Sequence, residues 1–409
     1  VNTISHKRTP PENEPHRIDT LFAARARDVA LPMWPTVESD SPLIAFDYGL
    51  ADPTCFPAAD LATAATAALS GDIDAALNYG PSYQGLQDII IARLRSQGIE
   101  AEDEQVLISY GSSQALGLLP QVFVDPGDVV IIEGPTFMGA VRYFADAGAR
   151  LLSVPLDQHG MHVDALEDTL ADLRQRHIRP KFIYTIPTFH NPTGATMSLE
   201  RRQRLVELSA ERGVLIVEDD AYGDLRFEGQ PLPHLAALDH EGWVIRLSTF
   251  SKILAPGVRL GWVYAHPDII ARLTKFKLEG SSGPFLTRMI AHYCEEGRLD
   301  AHIEELIARY RLKRDTMLNA LAQHMPPNVT VYRPEGGFFV WCELPPEISA
   351  AALLERSVQH GASFLIGTRC FANGQGENAF RLAFSYVSIK QIEEGVARIG
   401  AALRTLMQP

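Results

Sequence analysis

The sequence predicts an α/β protein: a large domain built on a mostly parallel seven-stranded sheet flanked by helices, plus a smaller α+β domain. Three observations predict it. Between residues 106 and 264, short apolar runs alternate with helical patterns, as in a parallel sheet covered on both faces. Polar residues follow several of these runs directly, where ligands gather beyond the carboxyl ends of parallel strands. After about residue 298 the alternation gives way to one long amphipathic pattern and a few separate strands.

In chain order, residues 1–45 form an N-terminal arm, with charge and proline over 6–15 and a helix candidate over 18–30. Residues 46–53 are a strand running into a turn, and 58–69 a helix. A loop over 77–85 carries Tyr79 and Tyr83, and an amphipathic helix follows over 86–97. The seven buried strands are expected at 106–109, 129–133, 151–154, 182–185, 215–218, 244–247 and 261–264, with helices at 112–123, 165–176 and 199–212. This large domain spans 46–298, its N-terminal edge contributing to the small domain at 299–409. The latter holds a long helix over 300–323, strands at 336–341, 363–366 and 380–384, and a terminal helix.

Composition narrows the function classes. A chain of 409 residues with 46% hydrophobic and 21% charged residues builds a substantial core, and a net charge of −13 argues against nucleic acid as a partner. No apolar run reaches the ~20 residues of a membrane span, and the first 20 residues have no apolar signal-peptide core. Cys55, Cys294, Cys342 and Cys370 are scattered, which points to a reducing, cytoplasmic setting rather than a disulfide frame or a zinc site. The 13 histidines form no HExxH, so no metal is expected, and neither GxGxxG after the first strand nor GxxxxGK[ST] occurs.

The informative stretch is Ser248-Thr249-Phe250-Ser251-Lys252, followed by Arg259 across a Pro256-Gly257 turn. Lysine becomes a nucleophile when burial or a nearby cation lowers its pKa, or when a carbonyl captures it as a Schiff base. The hydroxyls and the arginine fork suit a phosphate. An aldehyde and a phosphate together suggest pyridoxal 5'-phosphate; the competing account is a lysine on a surface turn. Three further strand ends add to it. Asn191 sits in the turn Pro187 to Gly194. Asp219, Asp220 and Tyr222 follow the strand at 215–218, where a carboxylate would keep a pyridine nitrogen protonated. Gly111, Ser112 and Ser113 open a helix, whose N–H groups and dipole favour an anion. Taken singly, each is also ordinary turn or cap chemistry.

With these motifs in order the chain resembles the class I/II aminotransferases of the fold-type-I pyridoxal-phosphate superfamily. It is most similar to the branch holding aminoadipate and kynurenine aminotransferases and the effector domains of MocR-type regulators. The motifs are Tyr79-Gly80-Pro81, Gly111-Ser112-Ser113-Gln114, Gly134-Pro135-Thr136-Phe137, Asn191-Pro192-Thr193-Gly194, Asp219-Asp220-Ala221-Tyr222, Thr249-Phe250-Ser251-Lys252 with Arg259, and Phe380-Arg381-Leu382. The resemblance implies that Lys252 forms the Schiff base and later shuttles a proton. Asp219 partners the pyridine nitrogen, Asn191 and Tyr222 hold the phenolic oxygen, and Phe137 stacks on the ring. Gly111, Ser112, Ser113, Thr249, Ser251 and Arg259 take the phosphate, with Tyr79 reaching in from a second subunit of a homodimer. Arg381 grips the substrate α-carboxylate, with Asn191 and Gly49 close to the substrate. The implied activity moves an amino group between an L-amino acid and a 2-oxo acid.

The chain departs from the pattern in two places. Tyr48 stands where many relatives have a second glycine, and no arginine aligns near Met33-Trp34, where relatives acting on dicarboxylic or long substrates carry one; Arg25 and Arg27 do not fit that position. The glycine-rich loop at 279–284 is a further candidate for shaping the pocket. Two rivals keep the cofactor. One is elimination or replacement, decarboxylation, oxidation or cyclisation, since the bond broken depends on its angle to the ring. The other is a non-enzymatic cofactor-sensing domain. Against that, the 45 residues before Phe46 are neither basic nor patterned as a helix-turn-helix.

Overall fold

A computed structural model describes residues 18–22 and 43–407. The chain divides into a unit over 1–39 and a unit over 40–409. In the first, Ile18–Leu21 is a 3-10 turn; residues 23–30 of the helix candidate, with Arg25 and Arg27, and Met33-Trp34 lie outside the described residues.

In the second unit the strands are β1 (Ile44–Ala45), β2 (Val106–Ser109), β3 (Val129–Gly134), β4 (Arg150–Asp157), β5 (Gly160–Met161), β6 (Phe182–Thr185), β7 (Leu215–Asp220), β8 (Val244–Thr249), β9 (Gly261–Tyr264), β10 (Thr330–Val331), β11 (Phe339–Glu343), β12 (Ala362–Ser363), β13 (Leu365–Ile366) and β14 (Ala379–Ala383). The helices are α1 (Ala58–Ser70), α2 (Ile73–Leu77), α3 (Gln84–Ser96), α4 (Gly111–Phe123), α5 (Met138–Asp146), α6 (Val163–Gln175), α7 (Leu199–Arg212), α8 (Leu235–Leu238), α9 (Pro267–Phe276), α10 (Pro284–Cys294), α11 (Arg298–His324), α12 (Ala350–Gln359) and α13 (Ile389–Leu406).

The large sheet runs β2-β9-β8-β7-β6-β3-β4-β5. All seven expected strands are present, and the apolar runs explain why: every residue of β6 and β8 is buried. Two features differ from expectation. The sheet has an eighth, two-residue strand, because Gly160 at φ 87° lets the chain fold β5 back along β4. β9 is antiparallel to both β2 and β8. Residues 250–260 are a short link between β8 and β9, whereas a parallel neighbour needs a crossover of about a dozen residues or more.

The expected strand at 46–53 is also corrected. The pairing lies upstream, where β1 runs parallel to β12. From Asp47 onward the carbonyls serve side chains instead: Asp47 accepts from Arg381, Gly49 from Lys252 and Leu50 from Ser385. A backbone engaged this way has no free ladder. A second, antiparallel sheet runs β10-β11-β14-β13, so Arg381 sits on a central strand, opposite Trp341.

Caps fix the helix ends. Ser198 accepts from Arg201 N at the start of α7, and Gly213 closes it in the left-handed region at φ 64°. Ser388 and Gln391 form a reciprocal box that starts α13.

Candidate active site

Lys252, beyond the carboxyl end of β8, and Arg381, which also bonds Asn191 beyond β6, both donate to the segment at 47–50. Phe250, packed on Trp262 with ring centroids 5.1 Å apart, anchors the residues leaving β8. Two positions later Lys252 turns inward. Its Nζ donates to the Gly49 carbonyl at 3.0 Å and lies 5.8 Å from the Tyr222 ring centre and 5.6 Å from that of Phe338. Burial pulls this amine down to about 8; Arg381 and Arg259 add to the effect and Asp219 opposes it.

Asp219 is the penultimate residue of β7 and is buried. Its Oδ2 accepts from the Tyr184 hydroxyl at 2.7 Å, while its Oδ1 is buried with no hydrogen-bond partner. Burial raises the carboxyl to about 6, with Asp220 and Glu133 pushing the same way against the Tyr184 bond. Next in the strand, Asp220 points elsewhere, to Arg246 at 2.6 Å. Burial works against its ionisation too, but Arg246 and His234 hold it below the usual carboxylate range. Neighbouring carboxylates thus have opposite fates set by the period-2 geometry of the strand.

Asn191 is buried, and its Oδ1 accepts from Arg381 Nη1 at 2.8 Å. Arg381 also donates through Nη2 to the Asp47 carbonyl, lies over the Phe339 ring at 4.3 Å, and keeps an unpartnered buried Nε. Burial lowers its pKa. Burial raises the Tyr222 phenol above its ordinary value.

The anion cradle is built from close backbone approaches. Gly111 opens α4 at φ +72°, and a Cβ there would come within 3.1 Å of Arg259 Nη2. A Cβ on Gly261 would sit 2.5 Å from the Ser248 carbonyl oxygen and 3.0 Å from Ser112 N. Only glycine lets the end of β8, the start of β9 and the N-terminus of α4 meet. Thr249 Oγ1 donates to Ser251 Oγ at 2.9 Å and accepts from Ser251 N at 3.1 Å. Arg259 Nη2 donates to the Tyr110 carbonyl at 3.4 Å. Ser112 and Ser113 lie in the first turn of α4, and half-buried Phe137 caps the N-terminus of α5. Gly49 passes so close to Phe339 that a Cβ would meet its ring at 2.5 Å.

The structure therefore brings Lys252 against Gly49 and the Tyr222 ring and Asn191 against Arg381, while Asp219 acts on Lys252 and Tyr222 through its charge. Tyr79 is not among them: it is fully exposed at 105%. Sequence reasoning missed Tyr184, Phe338 and the buried pair Glu133–His190, whose Oε2 and Nε2 are 3.1 Å apart. Glu133 also accepts from Thr185 Oγ1 at 2.7 Å and Ile186 N at 2.9 Å. The available sign was a polar group inside an otherwise apolar strand, as at Glu133 and Tyr184.

These residues fit pyridoxal phosphate. The orphaned Asp219 Oδ1 is an acceptor awaiting a cationic N–H, since a buried unpaired carboxylate oxygen is costly. The glycine-lined cradle of hydroxyls and N–H groups suits a phosphate.

Residues 50–399 match the family aminotransferase class I and II. The chain belongs to that family. It is 38% identical over 373 residues to aromatic-amino-acid aminotransferase 1 of Thermococcus litoralis, covering 90% of this chain and 89% of that one. Its fold is similar to that of Pyrococcus horikoshii kynurenine aminotransferase, with a TM-score of 0.90 at 34% identity, covering 96% and 99% of the two chains. It is also similar to LysN, the α-aminoadipate aminotransferase of Thermus thermophilus crystallised with N-(5'-phosphopyridoxyl)-L-leucine. There the TM-score is 0.83 at 38% identity, covering 90% and 93%. The protein is a pyridoxal-phosphate-dependent aminotransferase that moves an amino group between an amino acid and a 2-oxo acid.

Proposed function

We propose that this aminotransferase works through Lys252 as the cofactor-bearing lysine and proton carrier. The observation that carries the proposal is the amine of Lys252, softened to about 8, in a mouth shared with the unpartnered Oδ1 of Asp219. When bound, pyridoxal phosphate supplies an aldehyde for the substrate amine and a protonated ring that accepts the electron pair released at Cα. The protein does the rest. Asp219 Oδ1 would hold the pyridine N–H, with Tyr184 keeping that carboxylate aimed. Asn191 and Tyr222 would bind the phenolic oxygen, and Phe137 would pack against the ring. Gly111, Ser112, Ser113, Thr249, Ser251 and Arg259 bind the phosphate. Arg381, held flat by Phe339 and Asn191, presents its fork to the substrate α-carboxylate. Lys252 Nζ, whose pKa of about 8 leaves a minor but usable fraction as free base near neutrality, takes the Cα proton and carries it onward.

The donor is an L-amino acid, within the range spanned by the aromatic, kynurenine and α-aminoadipate relatives. Tyr48, 40% exposed beside Gly49, lies on the route for its side chain. The working form is a homodimer in which Tyr79 completes the partner's phosphate site. Ile73, Leu77, Tyr79 and Leu278 support this, being large apolar side chains left exposed. Ser281 Oγ donates to the Gly80 carbonyl and Ser282 N to Ser82 Oγ, holding the Tyr79 loop to the 279–284 loop. The large domain comprises 46–298 and the small one 299–409, as the two main sheets suggest. The setting is cytoplasmic, in keeping with four free cysteines. The test is a screen of single amino donors against 2-oxo acid acceptors with the cofactor absorbance followed. Conversion to the aminated cofactor with release of a 2-oxo acid is expected; ammonia or a covalent adduct without a 2-oxo acid would contradict it.

A further inference from the structure

Behind the Gly49 segment lies a buried ionic cluster that the reaction itself does not use. Asp52 is 3% exposed and Lys313, on α11, is 1% exposed. Lys313 Nζ contacts Asp52 Oδ2 at 2.7 Å, and Asp52 Oδ1 accepts from Thr54 N at 3.0 Å and Thr54 Oγ1 at 2.7 Å. The Asp52 amide donates to the hydroxyl of fully buried Tyr310 at 3.0 Å. Taking two charges out of water costs several kcal/mol each, so stability alone is a weak account of such a pair.

Two lines of contact run from this cluster to one atom. Lys313 Nζ donates to the Ser385 carbonyl at 2.6 Å, and Ser385 Oγ donates to the Leu50 carbonyl at 2.6 Å. Leu50 follows Gly49, whose carbonyl accepts from Lys252 Nζ. On the other side the Tyr310 ring packs on Phe338 with centroids 4.8 Å apart, and Phe338 lies beside the same Nζ. We infer that Asp52, Lys313 and Tyr310 form a positioning node that holds the Gly49 carbonyl and the Phe338 ring against the Lys252 amine. The node thereby sets where Nζ rests and how readily it gives up its proton. The charged and titratable groups facing Nζ are Arg381, Arg259, Asp219 and Tyr222; those facing the node are Arg309 and Cys55. None of these is changed by the variants below.

This inference rests on Lys252 being the cofactor lysine, which borohydride trapping in the parent protein reads separately. The test uses cofactor-free protein and the pH dependence of Lys252 modification by trinitrobenzenesulfonate, followed on the Lys252 peptide by mass spectrometry. A carbonyl acceptor stabilises the ammonium form, so loosening it should lower the labelling midpoint. Lys313→Met and Ser385→Ala should each move it down by about one pH unit, and Lys313→Arg should return it towards the parent value. Should Lys313→Met fail to fold, Ser385→Ala, which removes a single hydroxyl, decides alone. Folded variants whose labelling curves superimpose on the parent's would overturn the inference.

Discussion

At the residue scale the account depends on two groups whose ionisation is bent in opposite senses by one environment. Burial lowers Lys252 to about 8 and raises Asp219 to about 6. The sign of the consequence for Asp219 follows from linkage. Its carboxyl binds protons more tightly folded than unfolded, so it stabilises cofactor-free protein below its unfolded value of 3.8. That contribution is lost as pH rises through about 6. Asp219→Asn keeps an acceptor for Tyr184 and removes the charge. Its cofactor-free form should therefore be more stable than the parent at pH 7, by about 1–3 kcal/mol in urea unfolding, while turnover falls about 10²-fold or more. A loss of stability in that variant would mean the carboxylate is better satisfied than the structure shows. At this scale Lys252, Asp219 and Asn191 are named from strand ends in the sequence, and Arg381 through the family resemblance. Tyr184, Glu133 and His190 are not, because a polar residue within a buried strand reveals its partner only when neighbouring strands are placed in register.

At the element scale the site exists because β8, β9 and α4 are allowed to converge. The apolar runs that announce β6, β7 and β8 say where strands lie but not which way a neighbour runs. The antiparallel sense of β9 follows from a short link that the alternation of patterns obscured. The displaced first strand has a similar cause: 46–53 looks like a strand, yet its carbonyls are engaged by Arg381, Lys252 and Ser385, all distant in sequence. Gly261 is the tightest point of the convergence. Gly261→Ala would press a methyl group into backbone on two elements, costing about 1–3 kcal/mol. Equilibrium dialysis against pyridoxal phosphate should show affinity reduced at least about tenfold, with secondary structure retained by circular dichroism. Unchanged affinity would remove the cradle from this place.

At the scale of the whole molecule, Tyr79 matters most, since nothing among the described residues explains a tyrosine this exposed in a site motif. Leu278→Glu places a charge at an exposed apolar position beside the 279–284 loop, which is bonded to the Tyr79 loop. Sedimentation should show half the parent's mass, and the monomer should lose activity together with cofactor affinity. A variant that sediments as a monomer with full activity would mean that each site is complete within its own chain. Tyr79→Phe should keep the dimer and weaken cofactor binding alone, by about 1–2 kcal/mol for a lost charge-assisted hydrogen bond.

The central claim is that one amine carries the cofactor. It is tested most directly by reducing the pyridoxal-phosphate-loaded protein with borohydride and locating the phosphopyridoxyl group on its peptides by mass spectrometry. The account predicts a single labelled peptide containing Lys252, absent from Lys252→Ala, which should fold normally and lose roughly 10³-fold in turnover. Label on a different lysine, or full turnover by Lys252→Ala, would contradict it.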